Sequence, residues 1–574
     1  MFEEALFREH ILANILTNLT TFATSRDWVE HCLVLFLLLY GAYKLLTRKN
    51  PALATYKNLF PAEAYAFDPR KKADWLGLVL LGGAFAVIGF YLFQAENTRF
   101  SSPDLMDHFF ATAMQEGVVP FYSFRMLPMT FFDLNFAFAL SNHFGVINCW
   151  ILGQWVAIAF VYYHLFRNLP VALRLMVLAA MLLLPAVFGV NNIIFPERMV
   201  LLEIGLSLIC VRRFSESGKP VWLGGFLLLM NYAIYSKETV IVFYFGMLTL
   251  AVLYNIYAEK IVMRSFLHPW RSMRAFPLET LMLLSMVFYG MLYGYVSRGI
   301  VSNPYRLLLK SSIAETLFFY RFEIILLLSA FVLLGIKMLY HRRAPVNPIF
   351  REGLLAASLA VTAVLFFCLR IVPVSPYLGF RSYFMILPAV FSLWYIAAAL
   401  KSHPRILYAF LAVLTIFSLE RDYRLANLEQ GEYYRQAATE IGRLLSERPQ
   451  MVLMIHDSGI LEPDLSERYQ ENRNWQLAAW SRVLKHYFPD SGLRLKAPAI
   501  TIKARSKHAL PPFFFVNRNP NFTKILLTPL QPGDYLLLKK ESVADAVLQN
   551  LGFSYRLIYE NPLFYLMEIQ DAHV

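Results

Sequence analysis

Charge is scarce in this chain. Asp, Glu, Lys and Arg make up 16% of its 574 residues, where a soluble protein of this size carries about 25%. Cysteine is scarcer. The four residues Cys32, Cys149, Cys210 and Cys368 lie in or beside apolar runs and lack metal-ligand spacing, so they read as small core hydrophobes. The first thirty residues contain acids and no uninterrupted apolar stretch, so a cleavable signal peptide is not expected. No internal repeat, low-complexity segment or nucleic-acid motif is visible, and no nucleic-acid partner is expected.

Apolar residues are abundant, at 57% of the chain with a mean hydropathy of +0.47. Runs of spanning or near-spanning length lie at 31–46, 75–94, 147–166, 171–190, 199–211, 221–235, 240–257, 277–297, 323–340, 353–370, 382–400 and 405–419. The reading is a polytopic all-α membrane bundle of about twelve transmembrane helices. The net charge of +13 fits basic cytoplasmic loops. One alternating set of loops holds 21 Lys and Arg and the opposite set 10, which makes the first set cytoplasmic. Segment 1–74 then supplies an additional N-terminal helix with a basic loop, and 75–420 the main membrane domain with a first outer loop at 95–146. Residues 421–574 form an extracytoplasmic α/β domain with strands expected at Met451–Ile455, Ile500–Ile502, Phe513–Val516, Tyr535–Leu538, Arg556–Tyr559 and Leu563–Ile569. Helices are expected over Leu425–Glu447, Asn474–His486 and Ser542–Leu551.

The outer loop opens with Ser101-Ser102-Pro103-Asp104-Leu105-Met106-Asp107-His108-Phe109-Phe110. Ser102 suits a helix N-cap and Pro103 the first helical position. The apolar spacing beyond gives an amphipathic helix that lies at a membrane surface. Asp104, Asp107 and His108 share one of its faces. A first-turn carboxylate such as Asp104 is already accounted for by the helix dipole. Asp107, a turn deeper beside a histidine, is the better general-base candidate. His108 reads as a structural or substrate-orienting histidine and not as a base. These three residues have no second cluster to complete a divalent-metal site, and no cofactor is required.

Other polar groups fall on the same side of the proposed membrane. Arg125 closes the aromatic turn Gly117–Arg125. Glu197 and Arg198 close the short loop Asn191–Arg198. Ser236-Lys237-Glu238-Thr239 interrupts apolar sequence from Val221 to Tyr254, where an ion pair is expensive unless it lines a wet cavity or has a partner. Lys237 is a point charge suited to a phosphate. Tyr377 and Arg381 flank the loop Val372–Pro376. Snorkelling, helix starts and solvated loops account for each of these singly. Together they suit an anionic ligand.

In its order of an Asp-bearing loop helix, Pro120-Phe121-Tyr122, Pro196-Glu197-Arg198, Ser236-Lys237-Glu238-Thr239 and Arg381-Ser382-Tyr383-Phe384, the chain resembles the GT-C fold integral-membrane glycosyltransferases, such as mannosyltransferases and aminoarabinose transferases. The resemblance covers about 75–420. It implies a polyprenyl-phosphate sugar donor, Asp107 as base with Asp104 as rival, and inversion. It also matches Lys237 to the family's lysine. Where many members have an Asp-Glu pair, this chain has His108. The resemblance further implies work in cell-envelope polysaccharide or glycolipid assembly at a bacterial inner membrane, on a glycan, lipid or protein acceptor. A flippase for a lipid-linked saccharide, or a non-catalytic scaffold presenting the tail, would use the same cationic features.

Overall fold

A computed structural model describes residues 65–98, 133, 144–188, 190–191, 197–237, 240–248, 277–297, 321–340, 386–425, 428–448, 451–456, 480, 484, 494–498, 527–528, 530–540 and 553–572. Helix α1 (Lys72–Thr98) and helix α2 (Phe144–Leu165) come first. Helix α3 (Val171–Leu182) returns along them to the four-residue α4 (Pro185–Phe188). Helix α5 (Glu197–Ser217) then runs parallel to α2, as the partners Gln154–Arg198 and Arg167–Glu216 require.

Local chemistry sets these boundaries. The first N–H groups of a helix have no partner within it. Asp74 supplies one for α3, accepting from Ala172 N at 3.1 Å, and its other oxygen accepts from Asp68 N at 3.0 Å. Pro185 cannot continue α3, because it lacks an N–H and clashes with the preceding turn. At the end of α5, Gly218 takes φ +66 and donates to Phe214 O at 2.7 Å. That is a left-handed cap that a glycine adopts without strain. Pro220 then opens helix α6 (Pro220–Ser236). Lys237 is extended at the end of α6, and a further helix, α7 (240–248), follows it.

Helices α8 (Pro277–Ser297), α9 (Arg321–Tyr340), α10 (Ile386–Leu400) and α11 (Pro404–Leu425) complete the helical body. The most enclosed is α10, buried from Ile386 to Ala397 with Leu387 as the exception. Its Phe391 packs against Tyr162 and Phe243, and Trp394 donates to Asn168 Oδ1 at 3.0 Å.

The twelve-span bundle expected from hydropathy is not what the described residues form. Two of their helices are long and apolar enough to cross a membrane, Lys72–Phe93 and Gly145–Leu165. Val171–Leu182, Val221–Ser236, Leu278–Met291 and Ile386–Leu400 are apolar but shorter. The reasons are local. Run 171–190 breaks at Leu183–Leu184. Run 199–211 lies in a helix carrying Glu197, Arg198, Glu203, Arg212, Arg213 and Glu216. Helix α9 holds Arg321, Glu323 and Lys337. Runs 31–46 and 353–370 lie outside the described residues.

Beyond α11, helix α12 (Leu428–Glu447) packs on a six-stranded sheet of order β3-β2-β1-β4-β6-β5. The strands are β1 (Val452–His456), β2 (Arg494–Pro498), β3 (Leu527–Thr528), β4 (Tyr535–Lys539), β5 (Phe553–Glu560) and β6 (Phe564–Ala572). The first four are parallel, and the hairpin β5–β6 is added antiparallel to β4. Tyr559 Oη donates to Gln436 Oε1 at 3.0 Å and Asn561 Nδ2 to Tyr433 O at 2.7 Å, which fixes α12 on the hairpin. Trp480 and Leu484, both helical and buried, fall in the expected helix Asn474–His486. The expected strands Ile500–Ile502 and Phe513–Val516 and the helix Ser542–Leu551 lie outside the described residues.

Candidate functional site

The site is built where α5 begins and α6 ends. Glu197 stands in the first turn of α5, the favoured place for a carboxylate. Lys237 lies just past the last residue of α6. Their charged atoms are 2.8 Å apart, with side chains 7% and 10% exposed. Neither Glu197 oxygen has hydrogen-bond alignment among the described residues, so the contact is one of charge at short range. A buried ion pair costs desolvation that charge alone repays poorly without further hydrogen bonds.

Arg198 extends the cluster. Its Nε donates to Gln154 Oε1 at 2.7 Å and its Nη1 to Val190 O at 2.7 Å. Gln154 in turn donates from Nε2 to Asp133. The Asp133 charge also reaches Glu203 and Tyr232. Ser236 Oγ contacts Glu203 Oε1 at 3.5 Å. Alongside, Trp155 Nε1 donates to Asn191 Oδ1 at 2.6 Å, and Asn191 Nδ2 is buried without an acceptor among the described residues. Three carboxylates and two cations therefore meet around one junction of helices.

Depth matters as much as composition. Gln154 is ten residues into α2, roughly 15 Å along its axis from Phe144. The cluster sits beside the middle of an apolar helix, not at its rim. Glu197, Arg198 and Lys237 thus lie together beside the middle of α2. Ionisable groups at that depth in a membrane protein are expensive and tend to be functional.

No protein-family model matches this chain, and no curated protein does.

The cluster's chemistry is therefore read from its own residues. Asp104, Asp107, His108, Arg125, Glu238, Tyr377 and Arg381 lie outside the described residues. Sequence reasoning missed Asp133, Gln154 and Glu203. The signal for Gln154 and Glu203 is a polar group near the middle of an apolar run, 147–166 and 199–211 respectively, and Glu203 is the only charged residue in its run. Asp133 gives no such signal, because it follows two phenylalanines in a loop already rich in acids and aromatics. Of the cysteines, Cys210 is buried as expected, whereas Cys149 is exposed on α2.

Proposed function

We propose that the chain is a membrane glycosyltransferase that moves a sugar from a polyprenyl-phosphate donor to an acceptor on the extracytoplasmic face. The observation that carries this reading is the buried Lys237–Glu197 pair with Arg198 beside it. A lipid phosphate needs cations at a place its apolar tail can reach. Lys237 offers an ammonium paired with Glu197 at 2.8 Å, so an incoming phosphate competes with Glu197 for it. Asp107, with Asp104 as rival, takes the proton from the acceptor hydroxyl or amine. The acceptor then attacks the anomeric carbon with inversion, the sugar–oxygen bond breaks, and the phosphate leaves with the electron pair. Lys237 and Arg198 stabilise the charge developing there. Arg125, Tyr377, Arg381, His108 and Glu238 complete donor and acceptor binding.

The membrane is the bacterial inner membrane, crossed more than once, with α1 and α2 among the crossings. Their faces support this: Val79 is 68% exposed, Phe90 62% and Phe160 65%. Basic residues gather where α1 begins and α2 ends, which supports reading that end as cytoplasmic and, with it, the sheet domain as extracytoplasmic.

The test is sugar transfer in membranes by Asp107→Asn and Asp104→Asn variants. Loss of a general base lowers the rate about 10²–10⁴-fold. Full transfer by both variants would overturn the assignment of the base.

A further inference from the structure

Away from the recessed cluster, α1, α3 and α6 begin and α2 and α5 end close together. Three guanidiniums share Glu216 there: Arg167 Nη2 at 2.9 Å, Arg213 Nη1 at 3.8 Å and Arg212 Nε at 3.9 Å. Arg174 adds a fourth cation. Its Nη2 donates to the carbonyl oxygens of Tyr65, Arg167 and Leu169, and its guanidinium lies 4.5 Å over the Tyr163 ring. Arg212 donates to His164 O at 3.1 Å, and the charges of Arg174, Arg212 and Arg213 all reach His164. Arg167, Arg212 and Arg213 against Glu216, with Arg174 beside Asp74, set four guanidiniums against two carboxylates.

That excess is poised for an anion. Arg167 Nε is buried with no acceptor among the described residues, while Arg213 is half exposed. Guanidinium groups suit phosphate oxygens, which they bind through paired donors. The surroundings select the source of the phosphate. Val221, Phe160 and Val156 are 69%, 65% and 53% exposed on the adjoining helices. Trp75, half exposed, donates from Nε1 to Pro69 O at 2.9 Å, the posture of an interfacial tryptophan. We infer that the cationic end formed by Arg167, Arg212 and Arg213 binds the headgroup phosphate of an anionic phospholipid, whose acyl chains lie on the exposed apolar faces of α2 and α6. The inference rests on the membrane placement proposed above and not on the transfer chemistry.

Native mass spectrometry of the full chain in detergent tests it, with phosphatidylglycerol, phosphatidylcholine and inorganic phosphate offered separately. Phosphatidylglycerol is expected to stay bound while the other two do not. Arg167→Gln with Arg213→Gln removes two charge-assisted donors and should weaken retention at least about tenfold. Arg213→Gln alone, at a half-exposed position, should weaken it in part and serves if the double variant does not fold. Equal retention of phosphatidylcholine, or retention unchanged in the variants, overturns the inference. Inorganic phosphate held as tightly as phosphatidylglycerol overturns the lipid as its source. Loss of the transferase reading with lipid retention intact leaves this inference standing.

Discussion

At the scale of single residues, the Lys237–Glu197 pair is the feature with the largest consequences. Removing one partner leaves the other charged and buried, which costs about 3–5 kcal/mol. Lys237→Met should therefore destabilise the chain by about that much, read by unfolding in detergent. Lys237→Met combined with Glu197→Gln should recover most of the loss, because no bare charge remains. A double variant as unstable as Lys237→Met alone would show that the pair is not the term that matters. The sequence makes this pair legible in part. The Ser236-Lys237-Glu238-Thr239 interruption marks Lys237, and Pro196-Glu197-Arg198 marks its partner. Their pairing is not legible, because two helices separate them in sequence and only the antiparallel return of α6 along α5 brings the two breaks to one level.

Elements meet at points where small changes are costly. On α5, Gly205 faces α2, and a Cβ added there would lie 2.6 Å from Val161 Cγ1 and 2.9 Å from Tyr162 Cε2. Gly205→Ala should cost about 1–3 kcal/mol through overpacking, seen as a lower melting temperature. An unchanged Tm would mean that α2 and α5 are not packed this closely. In the sheet domain, Glu568 on β6 bridges Arg448 at 2.7 Å and Arg556 at 2.6 Å. Burial raises its carboxyl, but the hydrogen bonds from Arg448 and Arg556 outweigh this and hold it below the usual range. The sign follows from linkage. A carboxyl depressed in the folded state stabilises above its unfolded value, and that contribution disappears as pH falls through the folded one. Glu568→Gln should therefore flatten the loss of tail stability below about pH 4.3, the ordinary glutamate value. Both arginines are more than half exposed, so salt should shrink the effect. Denaturation of the chain between pH 3 and 7 with and without Glu568→Gln checks this, and superimposable curves would refute it. The strands Tyr535–Leu538 and Leu563–Ile569 were legible from their apolar runs and, for the first, from the turn Gln531–Asp534. Strand β2, Arg494–Pro498, is not. Its two basic residues and a proline hide a strand whose place depends on pairing with β1.

For the whole molecule, hydropathy locates apolar segments but not the lengths of the helices made from them. Among the described residues composition alone overstates the membrane spans, because α5 and α9 carry ionisable groups within apolar stretches, α11 carries them at both ends, and α3 stops at Leu182. The division of charge survives this correction: an excess of cations where α2 and α5 end, and a mixed, recessed cluster where α5 begins. That polarity links the two proposed sites, one for a bilayer phosphate at the cytoplasmic end and one for a donor phosphate deeper along α2. The most direct measurement is the binding of polyprenyl phosphate, beside uncharged polyprenol, to the full chain and to its Lys237→Ala and Glu197→Gln variants. The account predicts that the chain binds the phosphate and not the alcohol. Lys237→Ala should lose that binding. Glu197→Gln, which frees the ammonium, should keep or strengthen it. Equal binding of phosphate and alcohol, or of phosphate by all three proteins, would contradict it.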